Sequence, residues 1–232
     1  MNSRVSVIIP YKSNSTGLAV LLTQLQMQTL LPNSIIILDN SETGEAKKIA
    51  ERYQVNTKII YEKSVGSIYE SWNRGIELAG DDDVFIINDD VLLQFDTIEQ
   101  LKFAKVQSLG LAIVPTTPDR VHMSERVEDF DFTSNFYSYE ATLWMPGFAF
   151  YLPRYTINQI GLFDTQFMTW FGDTDYERRI NDYAKEHKMT GIVKIKGCSV
   201  YHFCSTSWDL KSKETQKLIE EERKLFAEKW PL

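Results

Sequence analysis

From Val5 to Leu93 the chain alternates between short apolar runs and segments whose apolar residues recur at helical spacing. The run before Asn88 is continuous rather than alternating, which is typical of a strand buried on both faces of a parallel sheet. The pattern predicts strands at Val5–Ile9, Ile35–Leu38, Thr57–Tyr61 and Val84–Ile87. Helices are predicted between them, from Leu18 until Pro32, from about Glu45 to Tyr53 and from Gly66 onward. This order favours an α/β fold with right-handed crossovers and helices on both faces of a mainly parallel sheet.

The pattern after Leu93 is less regular. Asp96 and Glu99 resemble a capping box for a helix to about Gln107, and Leu109–Val114 is a predicted strand closed by Pro115. Residues 116–143 have no clear period, and a loop of this length is usually functional or poorly ordered. A strand is predicted at Phe148–Leu152, followed by a helix from Pro153 to about Ile160. The next helix extends to about Glu186, with Asp173 or its neighbour as N-cap. Short strands at Val193–Ile195 and Ser199–Tyr201 and a closing helix at Asp209–Trp230 complete the predictions.

Composition narrows the classes of function. The chain has 232 residues, 43% of them hydrophobic, so it can bury a sizeable core. Its net charge of −7 argues against a nucleic-acid partner. Cys198 and Cys204 fit neither a zinc ribbon nor a redox pair, and two thiols suit a reducing compartment. With no signal peptide before Arg4 and no apolar stretch long enough to span a bilayer, we predict a cytoplasmic protein without a transmembrane segment.

Asn88, Asp89 and Asp90 directly follow the strand at Val84–Ile87. Adjacent carboxylates at the end of a buried strand are costly unless they are paired, solvated or bound to a cation. In open α/β sheets this edge is also where ligands bind. We therefore expect Asp90, with Asp89 as a second candidate, to hold Mg²⁺ or Mn²⁺ that grips a diphosphate. The alternative is a simple polar exit from the strand.

Two other polar groups follow the first two strands. Asp39, Asn40 and Ser41 come after Leu38 and either hydrogen-bond to a nucleobase or ribose or form an Asx turn. Pro10, Tyr11 and Lys12 come after Ile9 and offer a ring to stack on a base and a positive charge. Lys12 is equally compatible with a solvated surface position.

The helix after the third strand offers two candidates for an anion. Gly66 at its start permits close approach of the backbone to a phosphate. Arg74, within Asn73-Arg74-Gly75, is long enough to reach the same group. Alternatively, Gly75 permits close helix packing and Arg74 is exposed.

Carboxylates and a histidine near the end of the chain complete the candidates. In Gly172-Asp173-Thr174-Asp175 one carboxylate can cap the following helix while the other acts as a general base. His202 ends a predicted strand and could supply a neutral imidazole to a metal beside Asp90. A single histidine is, however, more often structural.

Together these segments resemble glycosyltransferase family 2, whose members have the GT-A fold, a Rossmann-like sheet flanked by helices. The resemblance extends from Val5 to about Thr206, and rhamnosyltransferase-like members look closest. The segments that carry it occur in the family's order: Val5–Pro10, Leu38–Ser41, Asn73–Ile76, Phe85–Asp90, Pro146–Phe150, Ile160–Asp164, Phe171–Asp175 and Tyr201–His202.

The resemblance implies roles for these residues. Asn88–Asp90 looks like the family's DXD-type motif, with Asp90 as metal ligand and Asp89 near the ribose or metal. Asp39 looks like the nucleobase contact, with Pro10 and Tyr11 beside it. Gly172 and Asp173 occupy the place of a Glu-Asp pair, which makes Asp173 the candidate base. The departure at Gly172 leaves Asp175 as the alternative, and His202 matches a histidine that binds metal or diphosphate.

The resemblance further implies an inverting, metal-dependent transfer from a nucleoside diphosphate sugar, of UDP or dTDP type, to a hydroxyl of a glycan or saccharide acceptor. One domain over residues 1–232 would comprise a nucleotide-sugar-binding half (1–115), an acceptor-binding and catalytic half (116–206) and a C-terminal helix (207–232). Aromatic rings such as Tyr137, Trp144 and Trp170 suit an acceptor sugar, although most of them will simply cover the sheet. The closing helix either docks on the domain or forms a homodimer contact.

Two other classes of protein compete with this interpretation. A sugar-phosphate nucleotidyltransferase should have a glycine-rich basic loop after the first strand, but only Lys12 and Gly17 are available there. A non-catalytic nucleotide- or sugar-binding module on the same fold would tolerate loss of Asp173.

Overall fold

A computed structural model describes residues 3–53, 57–64, 66–117, 138–203 and 211–231. The first part of the chain alternates regularly between strands and helices: β1 (Val5–Tyr11), α1 (Ser15–Gln26), β2 (Ser34–Asp39), α2 (Glu45–Arg52), β3 (Lys58–Lys63), α3 (Ile68–Ala79) and β4 (Asp83–Ile87). The second part contains β5 (Val91–Leu93), α4 (Thr97–Ser108), β6 (Ala112–Thr116), β7 (Ser138–Thr142), β8 (Ala149–Leu152), α5 (Arg154–Ile160), α6 (Gly172–His187), β9 (Ile192–His202) and α7 (Lys213–Lys229). The predicted alternation of four strands and three helices before Asn88 is confirmed.

The strands form one continuous sheet in the order β3-β2-β1-β4-β8-β6-β9-β5, with β7 also paired to β9. Pairing is parallel among β3, β2, β1 and β4, as predicted. In the second half β8 runs antiparallel to both β4 and β6, and β9 runs parallel to β6 but antiparallel to β5 and β7. The sheet is therefore mixed, and its parallel half brings the ends of β1, β2 and β4 to one edge.

Both faces of the sheet are buried, which explains the continuous apolar runs. Val7 and Ile9 contribute to a core on the side of α1, α2 and α4. Ile8, which points the opposite way in the pleat, contributes to a second core with side chains of α3, α5 and α6. Leu225 and Phe226 of α7 pack against this second core. Helices on both faces thus hold the strand ends rigidly in place.

One predicted helix start is wrong in detail, and a capping box occurs at a different helix. Asp96 precedes α4 but makes no capping hydrogen bond with its side chain, and Glu99 instead accepts a 2.6 Å hydrogen bond from the Thr29 hydroxyl. A capping box does form at α3, where Ser67 accepts from the Glu70 amide and Glu70 accepts from the Ser67 amide. Local sequence spacing does not distinguish the two cases, because a tertiary partner competes for Glu99.

Three further boundaries differ from expectation. β6 continues through Pro115 to Thr116, and its register with β9 shifts between these two residues. Proline cannot donate a ladder hydrogen bond, but a strand can continue past it at a bulge. The two short strands predicted near the end are one strand, β9, with Gly197 at a positive φ of 93°. Phe171, at a left-handed φ of 64°, precedes α6, so Asp173 is not its N-cap.

Several expectations fall outside the described residues. These are the loop over most of 116–143, including Tyr137, together with Cys204 and the predicted helix start at Asp209. Cys198 is buried and unpaired among the described residues. Over the same parts of the chain, the helices lack the length and apolar character needed to cross a membrane.

Candidate active site

A cavity of about 540 Å³ opens where β1, β2 and β4 end. Loops from the strand ends, the start of α3, the start of α6 and the end of β9 contribute to its wall. Nine of the residues predicted from sequence line it: Pro10, Tyr11, Asn40, Gly66, Asn88, Asp89, Asp90, Asp173 and His202. The structure thus brings these predicted residues together at one cavity.

Asp89 and Asp90 are each held by a hydrogen bond to the backbone carbonyl, and the Asp89 carboxylate also accepts hydrogen bonds from backbone amides. The Asp89 carbonyl accepts a 3.1 Å hydrogen bond from Asn14 Nδ2, and the Asp90 carbonyl accepts one of 2.9 Å from the Phe203 amide. Both side chains are buried, yet Asp89 Oδ2 and Asp90 Oδ1 accept no hydrogen bond from the described residues. Burial, and then the charge of Asp90, raise the pKa of Asp89 to about 7. Two such carboxylates favour a cation in the cavity.

His202 lies beside this pair because β5 and β9 are antiparallel and Val91 is opposite His202. His202 Nε2 is 3.2 Å from Asp90 Oδ1, and its ring stacks on Phe148 with a centroid distance of 4.0 Å and an interplanar angle of 13°. The described residues contain no cluster of three acidic, histidine or cysteine side chains arranged to hold a metal. Asp90 and His202, with Asp89 adjacent, still fit Mg²⁺ or Mn²⁺, since such sites commonly use few protein ligands and complete the shell with phosphate oxygens and water.

The nucleotide side of the cavity includes Asn40 but not Asp39. Asn40 donates a 2.8 Å hydrogen bond to Ser71 Oγ, while its Oδ1 is buried without a partner among the described residues. Asp39 is fully buried and does not line the cavity. Its Oδ1 accepts from the Ser41 amide at 2.8 Å and its Oδ2 from the Tyr61 hydroxyl at 2.7 Å. The predicted Asx turn is therefore formed, and Asn40 is better placed than Asp39 for a ligand.

Gly66 lines the cavity, but the start of α3 is already occupied by protein groups. Gly66 has φ 140°, and an added Cβ would lie 2.0 Å from Glu70 Oε2. The Ser67 amide donates to this carboxylate at 2.6 Å, and the Ile68 amide donates to the Met168 carbonyl at 3.2 Å. Gly66 thus lets Glu70 fold back over the helix start, which leaves fewer amides for a phosphate than predicted.

Arg74 does not line the cavity. Its Nε and Nη2 donate to Glu62 at 2.6 and 2.9 Å, and its Nη1 donates to Glu77 at 3.0 Å. The side chain is 45% exposed on the outer face of α3. The alternative of an exposed arginine therefore fits the structure, and the predicted phosphate contact does not.

The two candidate bases lie on different sides of α6. Asp173 lines the cavity. Asp175 is fully buried away from it, where Oδ2 accepts from Arg179 at 3.0 Å. Its Oδ1 lies 2.7 Å from Lys229 Nζ and accepts from Trp230 Nε1 at 2.9 Å. Asp175 thus binds the C-terminal helix, and only Asp173 is placed to meet a substrate.

Asp173 lies beside Gly147, and its carboxylate accepts hydrogen bonds within the first turn of α6. Its Oδ1 accepts from the Thr174 amide at 2.9 Å, and a Cβ added to Gly147 would lie 2.1 Å from Oδ2. Burial raises the pKa of Asp173. One helical turn on, Glu177 accepts from the Met145 amide at 2.6 Å, and burial with the charge of Asp173 raises its pKa to about 7. The carboxylate of Asp173 is therefore a stronger base than an exposed aspartate.

Packing against Tyr69 explains why glycine, and not glutamate, precedes Asp173. A Cβ at this position would lie 2.5 Å from the ring of Tyr69, and the Gly172 amide donates to the Tyr69 hydroxyl at 3.0 Å. The tyrosine from α3 occupies the volume that a side chain before Asp173 would need.

Other lining residues were not predicted from the sequence as site residues. They are Ser67, Ile68, Tyr69, Trp72, Gly147, Phe148 and Leu218, whereas Met168 and Thr169 belong to the apolar run 167–171 that the sequence offers as a wall of the site. Trp72 is 1% exposed, and its Nε1 has no partner among the described residues. Lys12 is the only lysine or arginine among the lining residues that the structure describes. Most of these residues occupy positions that the apolar pattern assigns to the core. The pattern in one sequence does not distinguish a core residue from one that lines a cavity.

The sheet, its flanking helices and the acidic strand-end cavity define a GT-A glycosyltransferase fold. The profile of the glycosyl transferase family 2 matches residues 6–171, and the chain belongs to this family. Its structure is similar to the crystal structure of GalNAc-T7 with UDP, GalNAc and Mn²⁺, with a TM-score of 0.67 and 12% sequence identity. The similarity covers 97% of this chain and 50% of the other, so this chain spans half the length of that neighbour. A search of curated proteins finds no match.

Proposed function

We propose that this chain is an inverting, metal-dependent glycosyltransferase that moves a sugar from a nucleoside diphosphate sugar to a hydroxyl of a glycan or saccharide acceptor. The observation that carries the proposal is a single cavity lined by the buried pair Asp89 and Asp90, by His202 and by Asp173. Family membership supports the reaction class. The fold neighbour was crystallised with UDP and Mn²⁺, which supports a UDP- or dTDP-type donor and a divalent metal.

The donor would lie along the strand ends. Pro10, Tyr11 and Asn40 are on the side of β1 and β2 and would contact the nucleoside. Asp90 and His202 would hold Mn²⁺ or Mg²⁺, which, when bound, neutralises charge on the departing diphosphate. Lys12 adds a positive charge to a cavity that otherwise carries three carboxylates, Asp89, Asp90 and Asp173.

Asp173 would act as the general base. Its Oδ2 borders Gly147, where an acceptor hydroxyl can approach without a side chain in the way. The hydroxyl proton passes to Asp173, and the oxygen forms a bond to the anomeric carbon on the face opposite the diphosphate. The bond from that carbon to the diphosphate oxygen breaks, and the nucleoside diphosphate leaves with the electron pair. The apolar wall of Ile68, Phe148 and Met168 limits access of water.

The finer assignments remain predictions. They are a rhamnosyltransferase-like sugar preference, a cytoplasmic location, a homodimer and the division of the domain at residues 115 and 206. Of the aromatics named for the acceptor, Trp144, which is 48% exposed two residues before Pro146, and the half-buried Trp170 are among the described residues, and we assign both to the acceptor side.

Release of nucleotide from a panel of UDP-, dTDP- and GDP-sugars tests the proposal. Wild type with Mn²⁺ should release nucleotide from one donor class, and Asp173→Asn should reduce the rate by at least about a hundredfold. The matched control is Asp182→Asn on the same helix, which should keep the wild-type rate. Binding of a nucleotide without any turnover, unchanged in Asp173→Asn, would indicate a non-catalytic binding module instead.

A further inference from the structure

The C-terminal helix places a buried carboxylate against the rest of the domain. Glu222 is 3% exposed, and α7 buries only Thr215 besides it. A buried carboxylate is unfavourable unless several donors compensate for its lost hydration. Glu222 Oε2 accepts from the amides of Met168 at 3.1 Å and Trp170 at 3.0 Å, and the Thr169 amide lies 3.2 Å from both oxygens. Three consecutive amides therefore converge on one side chain, as in an anion-binding nest.

The loop that donates these amides forms part of the cavity wall. Met168 and Thr169 line the cavity. The Met168 carbonyl accepts from the Ile68 amide at 3.2 Å, and the Thr169 carbonyl accepts from the Tyr69 hydroxyl at 3.1 Å. Two carbonyls of residues 168–170 are thus bound by α3, and all three amides are bound by α7, so both helices hold this loop.

This loop leads directly to the candidate base. After Trp170 the chain passes through Phe171 in a left-handed conformation and enters α6, where Asp173 lies in the first turn. α7 also holds the other side of that turn, through Lys229 and Trp230 on Asp175. Its Leu218, one turn before Glu222, lines the cavity itself.

We propose that Glu222 is a positioning residue of the transferase site. Its carboxylate fixes residues 168–170 and thereby sets the position of Asp173 against the acceptor, so that α7 completes the active site instead of only covering the core. The proposal rests on the proposed function, in which Asp173 is the base. Small displacements of a base reduce turnover strongly. The residues assigned to the donor lie at the ends of β1, β2 and β4, on other segments of the cavity wall.

Three variants separate positioning from packing. Glu222→Gln keeps the shape but directs an NH₂ group at one of the donor amides, and Glu222→Leu removes every hydrogen bond to the loop. Glu221→Gln is the matched control, because Glu221 is the neighbouring position, is 58% exposed and pairs only with Lys217 at 3.5 Å among the described residues. Each variant is compared with wild type by hydrogen–deuterium exchange of the peptide covering residues 168–170, by affinity for the nucleotide product and by steady-state kinetics.

We expect exchange of residues 168–170 to become roughly tenfold faster in Glu222→Gln, and faster still in Glu222→Leu, since one and then all of the charge-assisted hydrogen bonds are lost. The kcat should fall by about tenfold or more in the same order, with nucleotide affinity and donor KM within about twofold of wild type. Glu221→Gln should match wild type in every measurement. If Glu222→Leu does not fold, Glu222→Gln alone carries the test.

Unchanged exchange or unchanged kcat in a folded Glu222→Gln variant would overturn the positioning role. So would a loss of donor binding that accounts for the whole fall in kcat/KM. The failure of the proposed function is a separate result: the wild type itself would bind no nucleotide and release none from any donor.

Discussion

Asp90 and His202 come from distant parts of the chain and meet with 3.2 Å between Asp90 Oδ1 and His202 Nε2. The antiparallel pairing of β5 with β9 brings them together, and Phe148 holds the imidazole by stacking on it. A carboxylate and an imidazole at this distance, both largely buried, form the protein part of the metal site that we propose.

Replacing this histidine should weaken metal binding. His202→Asn removes the imidazole from the pair, and we expect the affinity for Mn²⁺ in the presence of UDP to fall at least about tenfold. Electron paramagnetic resonance of free Mn²⁺ measures this affinity directly. His187→Asn, at an exposed position on α6, is the control and should bind as wild type does. Equal affinity in both variants would remove His202 from the site.

Asp173 and Asp175 should respond in opposite ways to the same substitution. Asp173→Asn should reduce turnover by at least about a hundredfold. It should leave the midpoint of urea unfolding nearly unchanged, because the hydrogen bonds of its carboxylate are local, to Thr174 and to its own backbone. Asp175→Asn should instead lower the free energy of unfolding by roughly 1–3 kcal/mol, since Arg179 and Lys229 lose a buried charged partner. A stable Asp175→Asn variant without activity would reverse the assignment.

The raised pKa of Asp89 predicts that, in the absence of metal, the free energy of unfolding depends on pH. Its folded-state pKa of about 7 lies above the value of about 4 in an unfolded chain, so the folded state binds the proton more tightly. Stability therefore falls as pH rises from about 4 toward 7. Asp89→Asn carries no charge, and in EDTA it should raise Tm by several degrees at pH 8 and by much less at pH 5. The exposed control Asp81→Asn should show no such dependence, and equal shifts at both pH values would contradict the account.

Arg74 should be dispensable for the reaction. It is exposed and pairs with Glu62 and Glu77, so Arg74→Gln should change the free energy of unfolding by less than about 1 kcal/mol. Donor KM and kcat should remain within about twofold of wild type. A large rise in donor KM would show that Arg74 leaves these partners to reach the diphosphate.

The parallel half of the fold and its strand-end residues could be predicted from the sequence. Continuous apolar runs such as Val84–Ile87 indicate strands buried on both faces, and parallel strands bring their carboxyl ends to one edge. Asn40, Asn88, Asp89 and Asp90 were found by this argument alone. The sequence could not separate Asn40 from Asp39, because the choice depends on the Tyr61 hydroxyl, which reaches Asp39 from the next strand.

The second half depends on contacts that local patterns do not contain. The pairing of β9 with β5, β6 and β7 is non-local. The sequence therefore offered His202 beside Asp90 only as a hypothesis, with a structural histidine as the alternative. The choice between Asp173 and Asp175 follows from the left-handed Phe171 and the contacts of α7. Glu222 is one of several glutamates in a polar helix, and nothing in its spacing distinguishes it.

Calorimetric titration of UDP, dTDP and GDP, first with Mn²⁺ and then with EDTA, tests the central claim most directly. Wild type should bind one of these nucleotides only when Mn²⁺ is present. Asp90→Asn should lose that binding, whereas the exposed control Asp81→Asn should keep it. A folded wild-type protein that binds none of the three nucleotides, or that binds one equally well in EDTA and in Asp90→Asn, would contradict the metal-dependent donor site.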